Sequence, residues 1–205
     1  MIIDVLQIGS HIGTCNDLIY NINFRNNNII LIEPVPHLFK KLQSNYEHKS
    51  KENNIIFLNI AVSNKDGFIK LYTPSLNNNF TLLPIWADQI SSVNENHIKS
   101  HIKKEIMVDE INVPCKRLNT IISFYNIEHI EYLIVDTEGH DFEILMDLNF
   151  DVVKPVNIIF ENAHIDGFLS KNHRYNLLMT HLISKGYKLV EENNEDTHLQ
   201  LINYI

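Results

Sequence analysis

Five short segments, each following an apolar run, carry the residues whose types and spacing point to one site. They are Gly9-Ser10-His11-Ile12-Gly13, Glu33-Pro34, Ala61-Val62-Ser63, Asp136-Thr137-Glu138-Gly139 and Glu161-Asn162-Ala163-His164. Gly9, lacking a Cβ, can turn sharply off a strand and let the backbone approach a ligand, while Gly13 lets the next helix pack near a sheet. Glu33 follows the turn by about 20 residues, where a carboxylate can accept both hydroxyls of a ribose. Gly-x-x-x-Gly alone is an ordinary strand-to-helix turn; joined to Glu33 it favours a cofactor that contains a nucleoside. A pyrophosphate needs glycine at the middle position of that turn, and this chain has His11 there. The pattern therefore disfavours NAD and suits a cofactor without phosphate, S-adenosylmethionine.

The elements that must hold these segments follow from periodicity. Ile2–Ile8 and Ile29–Glu33 are apolar throughout or nearly so, as in strands buried on both faces, and Pro34 and Pro36 stop the second. A helix is expected over Cys15–Phe24, and Leu38, Leu42 and Tyr46 recur at helical spacing. Ile55–Ala61 reads as a third strand, with Gly67–Tyr72 as its hairpin partner after Asn64-Lys65-Asp66-Gly67. The region from Thr73 to Glu110 has the weakest pattern, with a helix near Asn94–Lys104. Val113–Arg117 and Tyr132–Val135 read as strands, and so does Val156–Phe160; helices are expected at Leu118–Tyr125, Phe142–Leu148 and Asn172–Lys185. Tyr187–Val190 and His198–Tyr204 close the chain as an antiparallel hairpin. Such alternation predicts one α/β domain over residues 1–205, a mostly parallel, doubly wound sheet with that hairpin at its C-terminal end. Ligands of such sheets sit beyond the carboxyl ends of the strands, where all five polar segments fall.

Composition narrows the partners. With 17 Lys and Arg against 25 Asp and Glu, the net charge of -8 argues against a surface that tracks phosphates of DNA or RNA. No apolar run reaches the roughly 18 residues of a membrane span, and the start of the chain reads as a strand rather than a signal peptide. Cys15 and Cys115 lie in no CxxC spacing and read as buried thiols of a reducing compartment; a cytoplasmic location is the expectation.

Several of these pieces, in order and spacing, resemble the FkbM family of S-adenosylmethionine-dependent methyltransferases over roughly residues 3–165. They are QIGSHIG (7–13), LIEPVPHLFKKL (31–42), IAVSNKDGFIKLY (60–72), CKRLNTII (115–122), LIVDTEGHDFEIL (133–145) and IIFENAH (158–164). The resemblance implies a Rossmann-like class I methyltransferase fold and transfer to hydroxyl groups, often of sugars or small-molecule scaffolds. It places Gly9, Ser10 and His11 beside the methionine part of the cofactor, with Gln7 and Gly13 in the same motif. Glu33 and Pro34 would lie at the ribose, and Ala61 and Val62 beside adenine. The stretch around 73–110 then serves as a substrate-side insertion, with Trp86 and Phe80 able either to stack on an acceptor or to form local core. The family more often has Asp at position 7 and Asn at position 11; Gln7 cannot supply negative charge near the cofactor's ammonium.

Methyl transfer to oxygen calls for collinear positioning and benefits from a general base. His164 is the expected base, with Asp136 and Glu138 orienting cofactor and substrate; Asp136 also counts among the cofactor contacts. The alternative for the two carboxylates is loop and cap bonding at the helix that follows. Asp136, Glu161 and Asn162 also resemble the ligand set of magnesium-dependent O-methyltransferases, so Mg²⁺ is a second possibility. His97 and His101 are spaced i,i+4, but no third ligand accompanies them at a telling spacing, and a solvated helix face is expected. His140 is a lesser candidate for the pocket. The rival readings are a nucleotide-dependent oxidoreductase and a degenerate methyltransferase fold used as a binding module.

Overall fold

Strands that are apolar on both faces need cover on both sides, and the arrangement seen in the computed structural model provides it. The structure describes residues 1–14, 28–51, 53–102 and 105–202. The helix expected over Cys15–Phe24, and Cys15 itself, lie outside them, as do the ends of the helix near Asn94–Lys104 and of the last strand. In chain order the strands are β1 (Ile2–Ile8), β2 (Asn28–Ile32), β3 (Asn54–Leu58), β4 (Ala61–Ser63), β5 (Gly67–Pro74), β6 (Val108–Arg117), β7 (His129–Val135), β8 (Asn157–Glu161), β9 (Tyr187–Glu192) and β10 (Asp196–Leu201). The helices are α1 (Pro36–Asn45), α2 (Glu95–His101), α3 (Leu118–Phe124), α4 (Asp141–Asp147) and α5 (His173–Ser184).

A seven-stranded sheet has the order β3-β2-β1-β7-β8-β10-β9. The first five strands in that order are parallel, and β10 lies antiparallel between β8 and β9. The expected hairpin is therefore present, entering the sheet through its second strand. Alternate residues face opposite ways. Leu6, Ile8, Ile30, Ile32, Leu133 and Val135 join one buried cluster with Leu118 and Ile122 of α3, Ile144 of α4 and Leu178 of α5. Val5, Ile29, Leu31 and Ile134 join another with Leu42 of α1 and Tyr46. Among the described residues, no helix is long and apolar enough to cross a membrane.

The middle of the chain departs from the expected layout. The single strand expected over Ile55–Ala61 is broken after Leu58. Asn59 caps the bend, its Nδ2 donating to the Glu33 and Pro34 carbonyls at 2.8 and 3.1 Å. Ala61 then starts β4 in a separate three-stranded sheet of order β4-β6-β5. There β4 runs parallel to β6, and β5 pairs antiparallel with β6 instead of with the strand before it. The strand expected at Val113–Arg117 is the C-terminal half of β6, which begins at Val108. The pairing partner of β5 thus lies beyond an intervening segment that carries α2, a separation that local turn chemistry does not encode.

Gly9 turns off β1 as expected, and both it and Gly13 are held in close contacts. Gly9 has φ +82°, and a Cβ there would stand 1.7 Å from the Asp136 carbonyl oxygen. The close approach is between the loops after β1 and β7, with Gly9 N donating to the Ile32 carbonyl. Gly13 has φ +67° and packs on α1, where a Cβ would meet Leu42 and Tyr46 side chains at 2.6 and 2.4 Å. Pro36 starts α1 at a position where its missing N–H has no partner to lose.

Candidate active site

Because β1, β2, β7 and β8 are parallel, their carboxyl ends open on one edge of the sheet. The loops there, with β4 and the segment between β5 and β6, enclose a cleft of about 890 Å³. That is ample for a cofactor-sized ligand and part of an acceptor.

One half of the cleft is built from backbone geometry. Gln7, Gly9, Ser10, His11 and Gly13 line it, followed by Glu33 and Pro34, then Ala61 and Val62. The Ser10 hydroxyl is committed to the fold, accepting from Ile32 N at 3.2 Å. His11 has φ +46°, a left-handed conformation that Asn and His adopt more readily than most residues. Its backbone N–H donates to Glu33 Oε2 at 2.9 Å, and Val35 N–H donates to Oε1 at 2.7 Å. Burial pushes the Glu33 carboxyl up to about 7, against these two donors, which favour its charge. Among the described residues, Gln7 Oε1 is buried with no hydrogen-bond partner. An acceptor left so is worth about 1–3 kcal/mol to satisfy, and an ammonium or amide N–H in the cleft would do so.

The other half is built from side chains that are distant in sequence. Asp136 and Glu138 follow β7, and Glu161 and His164 come at and after the end of β8; all four line the cleft. Asp136 is open to the cleft but crowded by protein. Loss of hydration, followed by the charges of Glu138, Asp196, Glu33 and Glu195, pushes it up to about 8. Burial does the same to Glu138, also to about 8, and raises Glu161, beside which the other carboxylates add repulsion. The Glu138 backbone is left-handed, φ +54°, in a region costly for a residue with a long side chain. Ser92 Oγ holds it by donating to the Glu138 carbonyl at 2.8 Å.

Helix α2 enters from the segment between β5 and β6. Asn94 caps it, its side chain accepting from Asn96 N. The expectation of a solvated face fails here: His97 is buried, and its Nε2 lies 2.6 Å from Glu138 Oε2. Burial lowers the imidazole to about 4 and raises the carboxyl, so the pair is held neutral. His101 Nε2 is 3.1 Å from His164 Nε2. Burial, then the neighbouring His97 and His101, lowers His164 to about 4. Phe168 and Trp86 close over His101 edge-on, with centroids 4.7 and 6.0 Å away. Trp86 lines the cleft, whereas Phe80 packs into the local core around Ala87, Ile90 and Ile98.

Two other expectations fall differently, at Asn162 and at the cap of α4, while His140 meets the pocket. Asn162 is fully buried outside the cleft lining, its Nδ2 donating to Thr197 Oγ1 and the Asn193 carbonyl. The oxygen cluster near Asp136 and Glu161 is completed by Glu138 instead. Neither Asp136 nor Thr137 caps α4; Thr137 Oγ1 donates to buried Asp141 Oδ2 at 2.7 Å, so Asp141 braces the loop. His140 lines the cleft and lies 2.8 Å from Ser63 Oγ, joining the loop after β7 to β4. The sequence carried a clue to the histidine cluster in the His97–His101 spacing. Its companions, 41 and 63 residues further on, offered none.

A parallel sheet with this strand order, an antiparallel β10 and a cleft at the strand ends define a class I methyltransferase fold. The methyltransferase FkbM domain matches residues 7–189, and the chain belongs to that family. Among solved structures, the chain is similar to methyltransferase FkbM from Methylobacillus flagellatus KT, with a TM-score of 0.57 at 14% identity. That match covers 97% of this chain and 43% of the other. It is also similar to Aeropyrum pernix fibrillarin in complex with natively bound S-adenosyl-L-methionine, with a TM-score of 0.51 at 10% identity over 96% of this chain and 65% of that one. The chain thus spans less than two thirds of either protein. A comparison with curated proteins finds no match.

Proposed function

We propose that the protein is an S-adenosylmethionine-dependent O-methyltransferase acting on a hydroxyl of a sugar, glycan or small-molecule scaffold. The observation that carries this reading is the single cleft shared by Gln7 and Glu33 on one side and Glu138 and His164 on the other. The cofactor, when bound, supplies a methyl group on a sulfonium sulfur. Gln7 Oε1, without a donor among the described residues, accepts from its ammonium, and Glu33 accepts from the ribose hydroxyls. Ala61 and Val62 give the adenine an apolar wall. The segment around 73–110 supplies the acceptor side, with Trp86 and Gln89 on the cleft wall.

The acceptor hydroxyl meets the cleft between Asp136, Glu138 and His164. An imidazole lowered to about 4 is neutral at pH 7 and has a lone pair to receive that proton, while the carboxyl groups orient the hydroxyl. The magnesium set expected at Asp136, Glu161 and Asn162 does not form as such, because Asn162 does not line the cleft.

Calorimetry with S-adenosylhomocysteine and with NAD, followed by labelled methyl transfer to a panel of sugars and phenols, tests the proposal. Binding of S-adenosylhomocysteine alone and label on an acceptor oxygen are expected. Binding of NAD alone would make the protein an oxidoreductase, and binding of neither would make it a binding module.

A further inference from the structure

We infer that His97, His101, His164 and Glu138 form a binding site for one divalent transition-metal ion of the zinc class, with its open side toward the acceptor. One ligand atom from each lies within 4.8 Å of all the others. Zinc bonds of about 2.0–2.1 Å to nitrogen and oxygen require ligand atoms roughly 3.3 Å apart in a tetrahedron. The contacts of 2.6, 3.1 and 3.9 Å between His97 and Glu138, His101 and His164, and His164 and Glu138 bracket that spacing. Small side-chain shifts suffice to reach it.

Several features of the fold converge on this point. The i,i+4 spacing puts both helical imidazoles on one face of α2. The ring centroids of the three histidines stand 4.3–4.7 Å apart, a dense packing of polar rings in a largely buried place. His101 Nδ1 lies 2.9 Å from the His97 carbonyl; that bond uses its N–H and leaves Nε2 with a lone pair aimed at the centre. Glu138 is held in a left-handed conformation that brings its carboxylate to the same centre. Phe168, stacked on His164 and edge-on to His101, gives the site an apolar wall.

Three imidazoles and one carboxylate suit zinc and its neighbours better than magnesium, which prefers oxygen donors. The Leu169 amide reaches His164 Nδ1 only at a long 3.4 Å, so the neutral ring can carry its proton on Nδ1 and present the Nε2 lone pair to an ion. Glu161 Oε1 stands 3.3 Å from that nitrogen, at the edge of the site.

The role of the ion rests on the O-methyltransferase reading. Its fifth position faces the cleft through Glu138, His101 and His164 and takes an acceptor hydroxyl oxygen. Bound there, the hydroxyl loses its proton to water in the cleft more readily. The oxygen lone pair then forms the C–O bond as the C–S bond breaks, its electron pair neutralising the sulfonium. The ion thereby replaces His164 as the agent of deprotonation.

The test is titration of chelator-stripped protein with Co²⁺ alone, read by visible absorption, and with Zn²⁺ by calorimetry, each repeated on His101→Ala, His164→Ala and Glu138→Gln. The site predicts one ion per chain with ligand-field bands of low-symmetry, four- or five-coordinate cobalt. Each variant should weaken binding by at least about tenfold while retaining its circular dichroism. No cobalt spectrum, or unchanged affinity in folded His101→Ala and His164→Ala, overturns the inference. S-adenosylhomocysteine calorimetry on the same samples keeps the two readings separate. Cofactor binding without ion binding defeats only the metal site, and ion binding without cofactor binding defeats only the methyltransferase reading.

Discussion

The two halves of the cleft are made in different ways. The cofactor half uses backbone: two loops meet at Gly9, and Glu33 is fixed by the N–H groups of His11 and Val35. Its side chains come from positions just after strands, so the sheet itself sets where they lie. The acceptor half uses side chains from α2, the loop after β7 and the loop after β8, and their geometry depends on contacts among them. A half built on backbone should respond to substitution in stability and cofactor affinity together. A half built on side chains should lose turnover or ion binding while the cofactor still binds.

The largest effect is expected at Gly9. Gly9→Ala adds a Cβ 1.7 Å from the Asp136 carbonyl, in a left-handed conformation. Neither loop can yield without breaking strand-end hydrogen bonds, so a loss of about 4 kcal/mol is expected, or roughly 10 °C in melting temperature. Calorimetric unfolding checks it. A loss below about 1 kcal/mol would show that the loop junction is pliable and that the cofactor half is not backbone-locked.

Next comes Glu33→Ala. It leaves two backbone N–H groups without their carboxylate and removes the ribose acceptor. Affinity for S-adenosylhomocysteine should fall about 30- to 100-fold, equivalent to roughly 2–3 kcal/mol. Calorimetry gives the number directly; an unchanged affinity would move the ribose away from Glu33.

The contrast also explains what was legible before the structure was known. Gly9, Glu33, Asp136 and His164 could be singled out because a parallel sheet puts strand ends together and apolar runs mark those ends, whereas Gln7 came from the family resemblance. The seven-stranded sheet was legible for the same reason. The second sheet was not, since β5 pairs across α2 with Val108–Arg117, and nothing local in Gly67–Pro74 names that partner. His97 and His101 were visible as a pair, yet their environment came from Glu138 and His164, joined only by tertiary packing. Asn162 was misplaced in expectation because it lies at a strand end yet is turned toward Thr197 of β10, a neighbour that sequence order does not reveal.

Ser92 offers a smaller and cleaner separation of the halves. Its hydroxyl ties the segment leading into α2 to the Glu138 carbonyl, and it also accepts from Asn94 N at 3.3 Å. Ser92→Ala should cost about 1 kcal/mol of stability and lower turnover a few-fold, with S-adenosylhomocysteine affinity unchanged. Equal losses in turnover and cofactor affinity would mean that the two halves act as one unit.

The smallest effect is a pH dependence that belongs to the cofactor half. Burial raises Glu33 from an ordinary 4.5 to about 7, so the native protein holds this proton more tightly than the unfolded chain. The stabilisation from the protonated carboxyl is full below about pH 4.5 and is lost as pH climbs through 7. Ligand binding has the opposite sign, because ribose hydroxyls donate better to an ionised carboxylate. Affinity for S-adenosylhomocysteine should therefore rise about threefold between pH 6 and pH 8, and stay flat in Glu33→Gln. The glutamine keeps an acceptor for one of the two backbone donors and cannot ionise, which isolates charge from shape. Parallel pH profiles in the two proteins would assign the dependence to Asp136 and Glu138, whose carboxyls are pushed up to about 8, and so to the acceptor half.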